Sequence, residues 1–120
     1  MKKALLFALL FSLSALPIKA SGEEKTEAVI LRLIQSVQKL PADTEFIRNS
    51  DSYNKDEAAA HLLSKYKRVR KNIATAEEFI EKIASKSSIS GRDYLIKFSD
   101  NTTIKAGDFF KEELKKIENE

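Results

Sequence analysis

The chain has 120 residues, a length suited to one domain, and no cysteine, which excludes disulfides, thiol nucleophiles and thiolate-ligated metals. Its formal charge of +3 resides in residues 1–20: of 21 Lys and Arg against 18 Asp and Glu, Lys2, Lys3 and Lys19 fall there with no acid, leaving 18 against 18. A remainder so balanced has no net attraction for nucleic acid, and no such partner is expected.

Lys2 and Lys3 precede an apolar run from Ala4 to Ile18 that is interrupted by Ser12, Ser14 and Pro17 and followed by the small residue Ala20. This is the pattern of a cleavable export signal with its cut after Ala20. The run falls short of the ~20 apolar residues that a bilayer-spanning helix needs, so no membrane span is expected in the mature chain. The expected organisation is a signal peptide over 1–20 and a single domain over 21–120, stabilised by packing and helix caps.

Ser21 with Glu24 has the spacing of a capping box, and Ile30, Leu33, Ile34, Val37 and Leu40 then recur as one helical stripe that Pro41 ends. Thr44 to Arg48 reads as a short β-type run, an edge strand or merely extended, and Asn49-Ser50-Asp51-Ser52 as a turn. Asn54 with Glu57 opens a second helix whose inward stripe is Ala58, Leu62, Tyr66, Val69 and Ile73, with a basic C-terminal half suited to the negative end of the helix dipole. Thr75 with Glu78 opens a third, with Phe79, Ile80, Ile83 and Ala84 inward.

Ser85 to Gly91 is a hydroxyl-rich loop in which Gly91 permits a positive φ. Period-two alternation in Tyr94 to Phe98, a pause at Ser99-Asp100-Asn101 and its resumption in Thr102 to Lys105 predict a β-hairpin. A final helix from Gly107 turns Phe110, Leu114 and Ile117 inward. The fold class expected is α+β, about four helices packed with one β-hairpin.

His61, the single histidine, lies beside Leu62 at the edge of the inward stripe; it suits acid–base chemistry or a structural hydrogen bond. Ser87, Ser88, Ser90 and Gly91 supply hydroxyls and amides for a carboxylate or phosphate, or simply terminate a helix. Arg48 with Asn49, after a Phe-Ile pair and before a turn, is either a bidentate anion clamp or an internal strut. Ser36-x-x-Lys39, Ser52-x-x-Lys55 and Ser99-Asp100-Asn101 imitate a penicillin-recognising pattern, but Lys-Thr-Gly is absent and the chain is far too short for such an enzyme.

Phe46-Ile47-Arg48-Asn49, Ala59 with His61-Leu62 and Lys65, Thr75-Ala76-Glu77-x-Phe79-Ile80, Ser87-Ser88-Ile89-x-Gly91 and Tyr94 occur together in an order that resembles the YfeK-like family of small bacterial periplasmic proteins of unknown function. The chain departs from that pattern at Ser50, where the family tends to have glycine, at Leu63, where arginine is common, and at Asp93, where proline often precedes the tyrosine. The resemblance implies a periplasmic location and no particular activity.

The expected function is a non-enzymatic binding or accessory module. Arg48, Asn49, Tyr53, His61, Lys65, Ser87, Ser88, Ser90, Gly91 and Tyr94 would form one polar site for an anionic small molecule or cell-envelope component, without metal or cofactor. The alternative is a small hydrolase or transferase using His61 with Ser87 or Ser88.

Overall fold

A computed structural model describes residues 22–120, so the expected export signal and the expected Ser21 cap lie outside the described residues. The elements run α1 (Gly22–Gln38), β1 (Glu45–Arg48), β2 (Asp51–Tyr53), α2 (Lys55–Val69), a 3₁₀ turn (Arg70–Asn72), α3 (Ala76–Phe79, continuing as a π-helical turn over Ile80–Ala84), β3 (Leu95–Lys97), β4 (Thr103–Lys105) and α4 (Ala106–Glu118). The architecture is α+β, four helices on one face of an antiparallel sheet.

The sheet has four strands in the order β2-β1-β3-β4, where the sequence predicts one hairpin. The correction is β2. Asp51-Ser52-Tyr53 is too short and polar to signal a strand, yet its backbone pairs Arg48↔Asp51, Ile47↔Ser52 and Phe46↔Tyr53. This makes β1 an interior strand rather than an edge. Asn49 and Ser50 close the hairpin at φ 51° and 73°, the two positive values that a two-residue primed turn demands. Ser50 therefore holds a left-handed position where the related pattern has glycine.

Tyr53, Phe46, Ile96 and Ile104 form one cross-strand row, and Phe46 and Ile96 are buried against the helices. On α1, Ile30, Leu33, Ile34 and Val37 form the expected stripe, while Leu40 lies past the helix end and is only partly buried; on α3, Phe79, Ile80, Ile83 and Ala84 are buried as expected. Phe79 joins the layers, meeting Tyr66 and Phe110 edge-on at centroid separations of 5.8 and 6.4 Å.

Asn54 and Glu57 form the full capping box of α2, Asn54 Oδ1 accepting from Glu57 N at 2.8 Å and Glu57 Oε1 from Asn54 N at 2.9 Å. At α3, Thr75 Oγ1 accepts from Glu78 N at 3.0 Å, while the Glu78 carboxylate reaches one residue further back, to Ala74 N at 2.6 Å. The α2 stripe differs from expectation at its ends. Ala59, Leu62, Lys65 and Tyr66 are buried, Ala58 and Ile73 only partly, and Val69 is exposed because the helix stops there and the 3₁₀ turn redirects the chain.

Candidate functional site

The site arises where the inward face of the sheet runs out. Two residues beyond Phe46 on β1 stands Arg48, and two before Ile96 stands Tyr94, so the alternation that buries Phe46 and Ile96 brings both onto the helix-facing side. Helix α2 crosses there and offers His61 and Lys65, one turn apart on one face. Tyr94 is fixed by its backbone: its N–H donates to Ser85 O and its carbonyl accepts from Ala106 N, both at 2.9 Å. The second bond ties it to the start of α4. Gly107 allows this close approach, since a Cβ there would lie 2.6 Å from Ser85 Oγ.

These side chains form a continuous network. Lys65 Nζ donates to Ile83 O at 3.0 Å, Lys86 O at 3.3 Å and Tyr94 Oη at 3.1 Å, which employs all three ammonium donors. Lys65 is 8% exposed, and its acceptors include the carbonyls at the end of α3, the negative pole of that helix. Tyr94 Oη in turn lies 3.5 Å from His61 Nε2, which Arg48 Nη1 approaches at 3.0 Å. Arg48 Nη1 also lies 3.4 Å from Nδ1, so the guanidinium, which can only donate, faces both ring nitrogens and favours a neutral ring. Burial first, and then the charges of Arg48, Lys65 and Arg68, push the His61 pKa below its ordinary value, in agreement with that assignment.

Burial, followed by repulsion from Arg48 and Arg68, likewise lowers Lys65, and burial raises Tyr94 against the opposing pull of Arg48. Arg48 Nη2 donates to Tyr53 Oη at 3.2 Å, and its guanidinium carbon lies 5.3 Å from the centroid of that ring. The tyrosine bond holds the guanidinium above its ordinary pKa. Arg48 forms no ion pair with any acid among the described residues.

Arg48 and His61 border a cavity of about 190 Å³ between the sheet and helices α2, α3 and α4. Its walls are Phe46, Tyr53, Leu62, Tyr94 and Phe110, together with the small side chains Ala58, Ala84 and Ala106. Glu57 also borders it, with a carboxylate oxygen engaged by the Asn54 amide in the cap of α2.

The Ser/Gly loop forms a second cluster. Asn49 Nδ2 donates to Ser87 Oγ at 3.3 Å, Ser90 Oγ donates to Asn49 Oδ1, and Arg92 donates to Ser50 Oγ at 3.1 Å, so the β1–β2 turn is laced to the loop. Ser87 is buried, and its Oγ also accepts from the amides of Ile89 and Ser90. Gly91 sits at φ +74° and donates its N–H to Ser87 O. Those amides already have partners inside the loop.

Of the ten residues singled out in the sequence, the structure joins Arg48, Tyr53, His61, Lys65 and Tyr94 in one network. Asn49, Ser87, Ser90 and Gly91 belong to the second, and Ser88 lies exposed beside Lys65 and Arg68 in a separate groove. No hydrogen bond joins His61 to Ser87 or Ser88 among the described residues, and no group of three or more His, Cys, Asp or Glu there is placed to hold a metal. The cavity walls went unread in the sequence because Phe46, Leu62, Ala84, Ala106 and Phe110 carry only core signals.

A small helix-on-sheet domain with a cationic network over an apolar cavity is the class that this geometry defines. By sequence it belongs to a family of unknown function, DUF5329, whose model matches residues 24–118. It is also similar to the uncharacterized protein YfeK of Salmonella typhimurium strain LT2, 38% identical over 92 residues that cover 77% of this chain and 76% of the relative. The YfeK-like resemblance is thereby established over most of the chain. No solved structure matches it.

Proposed function

We propose that this chain is a non-enzymatic periplasmic binding module for an anionic small molecule, with Arg48 as the residue that receives the anion. One observation carries this reading: Arg48 borders a cavity, has no carboxylate partner among the described residues, and spends only part of its five-donor fork on His61, Tyr53 and Tyr94. A guanidinium with donors to spare beside a recess is suited to bidentate capture of an oxyanion. Lys65 and Arg68 add positive potential, and a neutral His61 spares the site a further ring charge while fixing the guanidinium. The Asn49–Ser87–Ser90 cluster braces the turn that carries Arg48.

Location in the periplasm rests on the export-signal pattern of residues 1–20; osmotic-shock release of a chain beginning at Ser21 by mass tests it. For binding, thermal-shift titration with acetate, benzoate and inorganic phosphate is expected to raise the melting temperature of the wild type and not of Arg48→Met. An equal response in the two proteins removes Arg48 from the reading, and no response to any of the anions removes the reading itself.

A further inference from the structure

We propose that the ligand is an organic monoanion, a carboxylate carrying one compact apolar body that fills the cavity beneath Arg48; the inference rests on the anion-binding reading above and adds the identity of the other end of the molecule. The recess borders the hydrophobic core, with Leu62 from α2, Phe110 from α4 and Phe46 from β1 among its walls. The surrounding core is closely filled, Phe79, Ile83, Ile96 and Phe110 each being at most 1% exposed. Space persists at this point because three neighbouring positions from three helices, Ala58, Ala84 and Ala106, present a methyl group where a larger side chain would close it.

Size, polarity and charge each restrict the occupant. An apolar cavity of ~150 Å³ accepts benzene, so about 190 Å³ accommodates a single ring or a branched chain of about five or six carbons. The hydroxyls at the boundary, Tyr53 and Tyr94, are both engaged with the cationic network, leaving an apolar interior that rewards hydrocarbon and penalises a polar tail. Only one positive group has donors available at the mouth. Lys65 has spent all three on Ile83 O, Lys86 O and Tyr94 Oη, and His61 is neutral. Arg48 borders the cavity together with Glu57, one of whose carboxylate oxygens is engaged by the Asn54 amide, so a single carboxylate adds the smaller excess of negative charge and a dianionic phosphate ester would add twice that.

The test titrates the folded protein, followed by amide NMR shifts, with benzoate, 3-methylbutanoate, acetate and benzyl alcohol. Both larger carboxylates are expected to bind at least about tenfold more tightly than acetate, which lacks the body, and than the alcohol, which lacks the charge. Ala84→Leu fills the cavity and is expected to weaken benzoate by about tenfold or more while leaving the acetate response in place. Ala58→Leu, at a half-buried position, gives the same reading should the buried substitution impair folding. Acetate binding as well as benzoate overturns the apolar-body inference and leaves the anion reading standing. Silence towards every carboxylate overturns the inference, and the anion reading falls with it where inorganic phosphate is silent too. Benzyl alcohol binding as tightly as benzoate overturns the monoanion and turns the cavity into a neutral-ligand site.

Discussion

Lys65 and Arg48 stand at opposite ends of one hydrogen-bonded chain, and they differ in how fully their donors are used. Both are cations near Tyr94, and neither has a carboxylate partner among the described residues. Lys65 is buried and saturated, an ammonium whose partners are two carbonyls and a phenol hydroxyl. Arg48 is half-buried and retains unused donors at the edge of a cavity. Within one network, donor saturation rather than charge distinguishes the two cations.

The sharpest way to break that contrast is at the inner end. Lys65→Met keeps the alkyl stem but leaves the Ile83 and Lys86 carbonyls without this donor, and is expected to cost about 2–4 kcal/mol in urea denaturation. A loss under about 1 kcal/mol would show that Lys65 is not a strut. Next comes Gly107→Ala, whose methyl would press on Ser85 and displace the chain that anchors Tyr94. About 1–3 kcal/mol of destabilisation is expected by the same measurement.

At the outer end, Arg48→Met is expected to change stability by less than about 1 kcal/mol while abolishing the anion response; a large unfolding effect without ligand would make Arg48 a second strut. The smallest effect concerns pH. The fold keeps His61 neutral, so on acidification the unfolded chain takes up this proton first, beginning near the ordinary value of 6.5. The His61 contribution is thus complete above that pH and is lost as pH falls from 6.5 towards the lowered folded-state value. Melting curves from pH 7.5 to 5.5 are expected to fall less steeply for His61→Gln than for the wild type.

What could be read from the sequence was what side chains say locally. The caps at Asn54 and Thr75, the stripes of α1 and α3 and the β3–β4 hairpin are announced by hydroxyl, amide and apolar spacing, and all form. β2 was illegible because Asp51-Ser52-Tyr53 is a strand through its partner's backbone, not through its own side chains. Val69 is exposed on the last residue of α2, and Ile73 lies past the helix end, because the 3₁₀ turn redirects the chain where the spacing continues the stripe. The clustering of Arg48, His61, Lys65 and Tyr94 depends on strand register, which single-sequence spacing does not encode. The cavity was hidden more deeply still, since alanine at positions 58, 84 and 106 looks like ordinary core until the space around it is known.

The π-helical turn over Ile80–Ala84 has a consequence for insertion and deletion. Such a turn is wound around one more residue than an α-helical one. Removing a single residue from it would let α3 continue as an ordinary helix and rotate everything that follows. The carbonyl of Ile83 would swing away from the Lys65 ammonium, and Ala84 would leave the cavity wall. In this fold the length of one helical turn therefore sets the geometry of the Lys65 network and of the cavity wall, and a deletion within it is expected to disrupt both.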